Sequence, residues 1–280
     1  MSGDDDIVLG LEGLAFERDT VREAGALASS LGARLRILHV TPIHVDPHML
    51  MGFPGTSMSR TTAFDLDVVR SRCDEALSGI DVSIEYAFTV GDLLSTLEHA
   101  MTETPPNLAM IARPLTTSGR AIVQLARSTG VPLLIVSASS PKEGGVVAAT
   151  DLSDPRLPVV HHARRLASSL RRRLTLVHNG EADARASLAQ VEAVTLALGR
   201  DCQGLSVRLP NTAAAVLAAA RLEAARVIAV GVRSRTWLRR WLSPSVATMV
   251  VARAQRSVLL VPIDDDDAMA PGPVVSAVLD

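Results

Sequence analysis

A chain of 280 residues can hold two hydrophobic cores, because a single core rarely grows beyond about 250–300 residues. Hydrophobic residues make up 48% and charged residues 21% of the chain, and no apolar run approaches the roughly 18 residues of a membrane span, so we expect a globular protein with no membrane partner. The formal net charge of −2 argues against nucleic acid as a partner, because that binding depends on clustered cations.

The amino terminus reads MSGDDDIVLG, which is acidic and lacks the basic and apolar regions of a secretory signal. Each half of the chain has one cysteine, Cys73 or Cys202, and lone thiols fit a reducing compartment. We therefore expect a cytoplasmic protein.

The first half contains five short apolar runs separated by helical stretches, and the runs predict strands at 7–12, 34–40, 82–88, 107–112 and 131–137. An insertion rich in Pro, Gly and Ser follows the second strand at 41–60. Within it, His44, Asp46 and His48 alternate and could bind a divalent metal, but such histidines are more often solvated, so we predict no metal site.

The second half repeats this alternation after a polar linker at 137–145. Its strands are predicted at 145–152, 173–178, 205–210, 226–231 and 257–262, and its helices at 155–170, 181–199, 212–224 and 245–254. The tail contains four consecutive aspartates and two prolines, which predicts a solvated or loosely docked extension. The predicted domains are 1–138 and 145–263, with an acidic tail at 264–280.

The two halves share a sequence repeat. Residues 27–39 read LASSLGARLRILH and residues 166–178 read LASSLRRRLTLVH, with eight of thirteen positions identical at an offset of 139. A period this long indicates a duplicated domain. Strands that are apolar throughout and alternate with helices are typical of parallel sheets buried on both faces. The sequence therefore predicts two tandem, doubly wound α/β domains with five parallel strands each.

Candidate binding residues lie at two predicted strand ends of the second half. In parallel α/β sheets, ligands bind outside the carboxyl ends of strands, where helix amino termini present N–H groups to anions. Ala149, Thr150 and Asp151 follow the first strand, and Asp151 could accept hydrogen bonds from a ribose or base. The fourth strand leads into Gly231, Arg233 and Ser234, and the last helix begins near Ser245 and Val246.

These segments resemble the ATP-binding branch of the universal stress protein family, which carries G-x-x-G, nine residues, then G-S or G-T. The spacing of Gly231, Ser234, Pro244 and Ser245 matches that motif, and VAATDLSD and SVLLVP resemble the first and fifth strands of the family. The resemblance covers nearly the whole chain twice and implies a Rossmann-like, adenine-nucleotide alpha-hydrolase-like fold. It also implies a stress-responsive regulator that binds ATP, with Mg²⁺ accompanying it, in the second domain only.

The resemblance assigns roles to residues in the second domain. Ala149, Thr150 and Asp151 would face the base and ribose, whereas Gly231, Arg233, Ser234, Ser245 and Val246 would surround the phosphates. Ser234 and Pro244 replace two family glycines, and Pro244 cannot donate an N–H. Arg233, Arg235, Arg239 and Arg240 could compensate, although a solvated helix face with Trp237 and Trp241 packed inward or against a partner is the commoner arrangement.

The first half departs further from the motif. Its connection between the fourth and fifth strands is about six residues shorter, so Ala112 and Arg120 fall where the second half has Gly231 and Ser245. Glu12 replaces the aspartate. We therefore predict at most one nucleotide per chain.

No enzyme motif is present, since we find neither a partnered nucleophile nor a Walker-type phosphate loop, so we expect a protein that is not an enzyme, with weak ATPase activity left open. His39 and His178 recur at the ends of second strands and are expected to be structural, as are His161 and His162. The alternative function is an interaction protein without nucleotide, whose two degenerate domains pair through the last strand of each half. Such pairing within one chain leaves a homodimer as a further possibility.

Overall fold

The computed structural model describes residues 6–13, 18–42, 59–113, 118–150, 156–179, 184–199, 202–207, 211–233 and 245–263. The chain forms two compact units, Met1–Ala112 and Arg113–Asp280, here called unit 1 and unit 2. The acidic tail, the loop with His44, Asp46 and His48, and the segment with Trp237 and Trp241 lie outside the described residues.

Unit 1 alternates strands and helices in the predicted order. Its elements are β1 (Asp6–Glu12), α1 (Arg18–Leu31), β2 (Arg34–Thr41), α2 (Ser59–Leu77), β3 (Ile84–Val90), α3 (Leu93–Glu103) and β4 (Leu108–Ala112). The described strands lie in the order β3-β2-β1-β4, and each pairs in parallel with its neighbour, as Leu9 does with Ile37 and Met110. β1 is buried on both faces, which explains why its sequence is an uninterrupted apolar run.

Unit 2 begins with one further helix and strand and continues with the second repeat. Its elements are α4 (Gly119–Thr129), β5 (Leu133–Val136), β6 (Val146–Ala149), α5 (Pro158–Ser169), β7 (Leu174–Asn179), α6 (Ala184–Leu198), β8 (Cys202–Val207), α7 (Thr212–Leu222), β9 (Val227–Arg233), α8 (Val246–Arg253) and β10 (Ser257–Ile263). The described strands lie in the order β5-β10-β9-β6-β7-β8. The strands from β10 to β8 are parallel, whereas β5 runs antiparallel to β10.

The antiparallel pair joins the last strand of each sequence repeat. Val258 faces Ile135 and Leu260 faces Leu133 in the ladder. These strands are the apolar runs that the sequence predicted as a pairing edge, and all four side chains are at most 1% exposed. The pair therefore covers the edge of β10 with an apolar strand.

The predicted linker is tied to the second repeat by hydrogen bonds. The Ser257 amide donates to the Ser140 hydroxyl at 2.6 Å, and the Ser137 amide donates to the Ser257 hydroxyl at 3.1 Å. The Lys142 carbonyl accepts from Arg226 at 3.0 Å and from Arg172 at 3.3 Å. These linker residues thus extend the β5–β10 seam.

The strand and helix order predicted from the sequence is confirmed, and the differences lie at the ends of elements. β8 begins at Cys202, three residues before the predicted start at 205. Gly204 lies in this early part, and a Cβ there would overlap the Val191 side chain of α6. A glycine that lets a helix approach a strand weakens the apolar pattern, which explains the late predicted start. The predicted domain ranges stay a prediction, since the boundary between the compact units follows Ala112.

Two further features concern the described residues alone. No helix within them has both the length and the apolar character needed to cross a membrane. They also contain no group of three or more His, Cys, Asp or Glu side chains arranged to hold a metal ion.

Arg113, the first residue of unit 2, caps the carboxyl end of α8. Its guanidinium donates to the carbonyls of Val251, at 2.5 Å, and Ala254. Burial lowers the pKa of Arg113 from its ordinary value, but a guanidinium remains charged at neutral pH. A cation at a helix carboxyl end satisfies carbonyls that lack an intrahelical partner and complements the helix dipole.

We expect Arg113→Ala to lower the free energy of unfolding by about 1.5–3 kcal/mol, the range for hydrogen bonds to charged groups. The change removes two donors to the end of α8, and urea denaturation followed by circular dichroism measures it. Arg120→Ala, at an exposed position of α4, is the matched control and should stay within about 0.5 kcal/mol of the parent protein. Equal stabilities of the two variants would contradict this role of Arg113.

Candidate functional site

The strand order of unit 2 reverses direction between β6 and β9. The chain proceeds from β6 outward to β7 and β8, then returns to place β9 on the other side of β6. In open parallel sheets a crevice forms outside the carboxyl ends of the strands at such a point, and ligands bind there. The strand order alone therefore places the candidate site at the carboxyl ends of β6 and β9.

A cleft of about 310 Å³ lies at this position. Its walls come from the ends of β6, β7, β9 and β10, from the first turns of α5, α7 and α8, and from the last turn of α4. The volume lies at the lower end of the range of about 300–1,000 Å³ for small-molecule sites. Most lining residues are apolar or neutral and polar, and no carboxylate is among those that the structure describes.

Six of the eight residues predicted from the sequence line this cleft: Ala149, Thr150, Gly231, Arg233, Ser245 and Val246. The other two, Asp151 and Ser234, lie outside the described residues, as do Pro244, Arg235, Arg239 and Arg240. The structure thus brings together the ends of the first and fourth strands and the start of the last helix.

Ser245 is the N-cap of α8. Its backbone is extended, with φ −64° and ψ 155°, and its hydroxyl accepts a hydrogen bond from the Thr248 amide at 3.2 Å. The first N–H groups of a helix have no intrahelical partner, so Val246 and Ala247 present donors at the cleft. This end of the helix dipole is positive, and α8 has no acidic residue in its first turn to offset it.

Gly231 has an ordinary strand conformation and lies close to the side chains of neighbouring elements. It lies within β9, which continues to Arg233, two residues beyond the predicted strand end at 231. Its strand partner is Val261 of β10, and a Cβ at this glycine would overlap the Cδ1 atom of Ile263 and lie 3.2 Å from Val159. Gly231 therefore lets β9 and the side chains around the cleft approach closely.

The two repeated histidines both bind a backbone carbonyl beside the first strand of their repeat. His178 is 9% exposed, and its Nδ1 lies 3.0 Å from the Thr150 carbonyl oxygen. In unit 1, the Nε2 of His39 lies 2.7 Å from the Gly13 carbonyl oxygen. These contacts agree with the structural role predicted for both residues, and in unit 2 the contact fixes the backbone of a cleft residue.

Three polar lining residues were missed by the sequence analysis: Arg127, Asn179 and Thr212. The Asn179 amide donates to the Thr212 hydroxyl at 3.2 Å across the ends of β7 and α7. Asn179 directly follows the repeated His178, so its position at a strand end could have indicated it. Arg127 belongs to the first sequence repeat, and no local pattern connects it with a site in the second.

In unit 1, leucine side chains lie beside the first strand, at the place that corresponds to the unit 2 cleft. A Cβ on Gly10 of β1 would lie 2.7 Å from Leu97 and 3.0 Å from Leu93, and these side chains are 0% and 7% exposed. The repeat offset places Gly10 on Ala149. Aligning the first residues of α3 and α7, both of eleven residues, places Leu93 on Thr212 and Leu97 on Val216.

Ala149, Thr212 and Val216 all line the unit 2 cleft. Larger helix side chains thus occupy, in unit 1, the space next to the first strand that unit 2 leaves open.

The structure changes one residue correspondence that the sequence predicted between the two repeats. The sequence comparison placed Arg120 at the position of Ser245, but the N-cap of α4 is Ser118, whose hydroxyl accepts from the Ala121 amide at 3.3 Å. Ser118 is therefore the residue that corresponds to Ser245. The connection from β4 to α4 has six residues, 113–118, whereas that from β9 to α8 has twelve, 234–245.

Comparison with known proteins agrees with this architecture. The model of the universal stress protein family matches residues 120–262. The chain belongs to the universal stress protein family. The match accounts for one domain of the family and includes α4 and β5; residues 1–119 are not matched, and for them the likeness is one of fold.

Solved structures share the α/β fold over almost the whole chain of this universal stress protein. A universal stress protein from Archaeoglobus fulgidus DSM 4304 is 18% identical, with 93% of this chain and 99% of that chain covered and a TM-score of 0.68. A protein of unknown function from Pseudomonas aeruginosa PAO1 is 15% identical, with coverages of 99% and 96% and a TM-score of 0.66. No curated protein sequence matches the chain. The predicted α/β fold class is confirmed.

The N-cap of α8 yields a stability prediction. We expect Ser245→Ala to lower the free energy of unfolding by about 1 kcal/mol, because the acceptor for the Thr248 amide is lost. Ser245→Asp keeps a capping acceptor and places a negative charge at the helix amino terminus, so it should retain or raise stability. Thermal unfolding of the two variants measures the difference, and an alanine variant as stable as the aspartate variant would contradict the capping role.

Proposed function

We propose that this universal stress protein is a non-catalytic, stress-responsive regulator that binds one adenine nucleotide in the unit 2 cleft. The observation that carries the proposal is the meeting of Thr150, Gly231 and Ser245 around one cleft at the switch point of the sheet. These residues come from three separate segments that the family motif implied. Their convergence supports a ligand site rather than three unrelated loops.

The chemistry of the walls assigns an orientation to the nucleotide. The ends of β6 and β7 supply Thr150 and Asn179, which offer hydroxyl, amide and carbonyl groups for a base and ribose. Asp151 follows Thr150 directly and would accept from the ribose hydroxyls. Ser245 and Val246 begin α8, where backbone N–H groups and the helix dipole favour phosphate oxygens.

Charge supports a ligand with phosphate groups. Arg233 adds a guanidinium at the end of β9, and Ser234 would continue the phosphate-facing segment. ATP with Mg²⁺ is the specific form that we propose, since the cation would screen the phosphate charge that Pro244, which has no N–H, no longer meets with a backbone donor.

The filled switch point of unit 1 supports a single site per chain. Leu93 and Leu97 pack where Thr212 and Val216 line the open cleft of unit 2. The shorter connection before α4 also leaves fewer backbone donors for a triphosphate than the twelve-residue connection before α8. Both differences disfavour a nucleotide in unit 1, so we propose nucleotide binding in unit 2 alone.

We propose a cytoplasmic binding protein that does not hydrolyse its nucleotide. The lining residues that the structure describes include hydroxyls at Thr150, Thr212 and Ser245, and no histidine, lysine or carboxylate is among these described lining residues to act as a base. Hydrolysis of ATP that is abolished by Asp151→Ala would assign a weak ATPase to this cleft instead.

A second candidate is an interaction protein without nucleotide. The pairing of β5 with β10 favours it, because the two repeats are joined through the strands that this function would use. The two candidates differ in one measurable property: only the nucleotide-binding protein changes its stability or heat of mixing with ATP. A homodimer is compatible with either and stays a prediction.

Isothermal titration calorimetry of the purified protein with ATP and Mg²⁺ tests the proposal. We expect one site per chain, and we expect acid-denatured protein to release adenine nucleotide into the supernatant. Ser245→Asp should weaken ATP binding about tenfold, because its carboxylate occupies the positive end of α8 and repels phosphate.

Ser118→Asp is the matched control, because Ser118 caps α4 in the corresponding place of the first repeat. It should leave ATP affinity unchanged. Absence of any ATP binding by the parent protein would reject the proposed function, and two equivalent sites per chain would reject its restriction to unit 2.

A further inference from the structure

The first strand of the second repeat ends before its two neighbours do. Ala149, the last residue of β6, pairs with Val177, and β7 continues for two residues to Asn179. On the other side, the ladder between β6 and β9 reaches Ala148, and β9 continues to Arg233. We call the space beyond Ala149, between the ends of β7 and β9, the notch. Residues at both of these strand ends line the cleft, so the candidate site lies in the notch.

The described strands of unit 1 have no such notch. β1 has seven residues, whereas β6 has four, and Glu12 at the end of β1 still pairs with Val40 of β2. At the repeat offset of 139, Gly10 corresponds to Ala149. β1 therefore extends two residues past the point at which β6 ends.

The repeated histidine bonds to the chain at a different point in each repeat. Its partner is a carbonyl oxygen in both, which can only accept, so the ring nitrogen carries the proton. His39 donates through Nε2 to Gly13, which follows β1 and has a φ of 63°. His178 donates through Nδ1 to Thr150. At the repeat offset, Thr150 corresponds to Leu11, so His178 bonds the chain two residues earlier than His39 does.

Two hydrogen bonds hold the backbone of Thr150 at the edge of the notch. Its amide donates to the Val177 carbonyl at 3.0 Å, which continues the ladder with β7, and its carbonyl accepts from His178 at 3.0 Å. His178 is 9% exposed and is not among the described residues that line the cleft. The imidazole therefore acts on the cleft through Thr150.

We infer that His178 is a positioning residue for ligand binding: its bond to the Thr150 carbonyl ends β6 at Ala149, keeps the notch open and holds Thr150 beside the base and ribose of the ligand. This inference rests on the proposed function and extends it to a residue outside the cleft. His39 bonds the chain two residues later, and β1 continues through the corresponding space. The point at which the histidine bonds the chain thus distinguishes the open repeat from the filled one.

Asparagine and glutamine each reproduce one nitrogen of the imidazole. The amide nitrogen of asparagine is bonded to Cγ, as Nδ1 is, whereas that of glutamine lies one bond further out, as Nε2 does. His178→Asn should therefore keep the bond to Thr150, and His178→Gln should lose it. His178→Ala removes the donor without a substitute and is the second loss variant.

His39→Asn is the matched control, because His39 uses Nε2 and the shorter asparagine should lose its bond to Gly13. It removes a buried hydrogen bond of the same kind from the repeat in which we propose no ligand. The dissociation constant for ATP with Mg²⁺ is measured by calorimetry, and stability by urea denaturation, for the parent protein and all four variants.

We expect His178→Gln and His178→Ala to raise the dissociation constant for ATP about tenfold, the effect of losing about one hydrogen bond between Thr150 and the ligand. His178→Asn should stay within about threefold of the parent protein, because a neutral donor is retained at the same place. His39→Asn should lower the urea midpoint as His178→Gln does, yet leave the ATP affinity unchanged.

Three results would overturn the inference. If the parent protein binds ATP but the loss variants at 178 bind it equally well, or His178→Asn is weakened as much as they are, His178 does not position the ligand and the proposed nucleotide site stands. The same conclusion follows if His39→Asn weakens ATP binding as much as His178→Gln, because the effect then reflects stability alone. If the parent protein binds no ATP, both the inference and the proposed function are rejected.

Discussion

The antiparallel pairing of β5 with β10 is the constraint on which the candidate site depends. A terminal strand of a parallel sheet exposes a row of backbone donors and acceptors that must be paired, covered or otherwise protected. Here β10 receives that protection from the last strand of the first repeat, with Leu134 opposite Leu259. The helix before β5 is consequently held against α8, and Arg127 comes to the cleft of the second repeat.

The contrast between the two repeats shows how few side chains separate an open cleft from a filled one. Both repeats place their first strand between the second and the fourth, so both have the topology that creates a crevice. Leu97 fills that space in unit 1, whereas Val216 leaves it open in unit 2. A duplicated fold can thus keep its strand order while the side chains beside the first strand differ between the two copies.

The sequence predicted the order of elements well because parallel strands buried on both faces are apolar along their whole length. β1 and β10 are clear examples. The ends were less accurate where a glycine or an exposed strand obscured the pattern, as Gly204 does in β8. The six described cleft residues were predictable because strand ends and helix starts are local features with a known position in this topology.

Other parts of the site depend on distant residues and could not be predicted. Arg127 lies more than one hundred residues before Arg233 and Ser245 in the chain, and the fold brings all three to the walls of one cleft. The leucines that fill the unit 1 crevice likewise resemble any buried helix face in sequence. Their significance appears only beside Gly10, where a Cβ would lie 2.7 Å from Leu97 and 3.0 Å from Leu93.

Hydrogen–deuterium exchange with and without ATP and Mg²⁺ tests most directly whether the unit 2 cleft is the nucleotide site. We expect nucleotide to slow exchange of the amides at the start of α8, Val246 and Ala247, and at the end of β9. Exchange should be unchanged at the start of α4, where Ser118 provides the equivalent cap. Protection beside β1 and α3 in unit 1, or no protection at the start of α8 at saturating nucleotide, would contradict this assignment of the site.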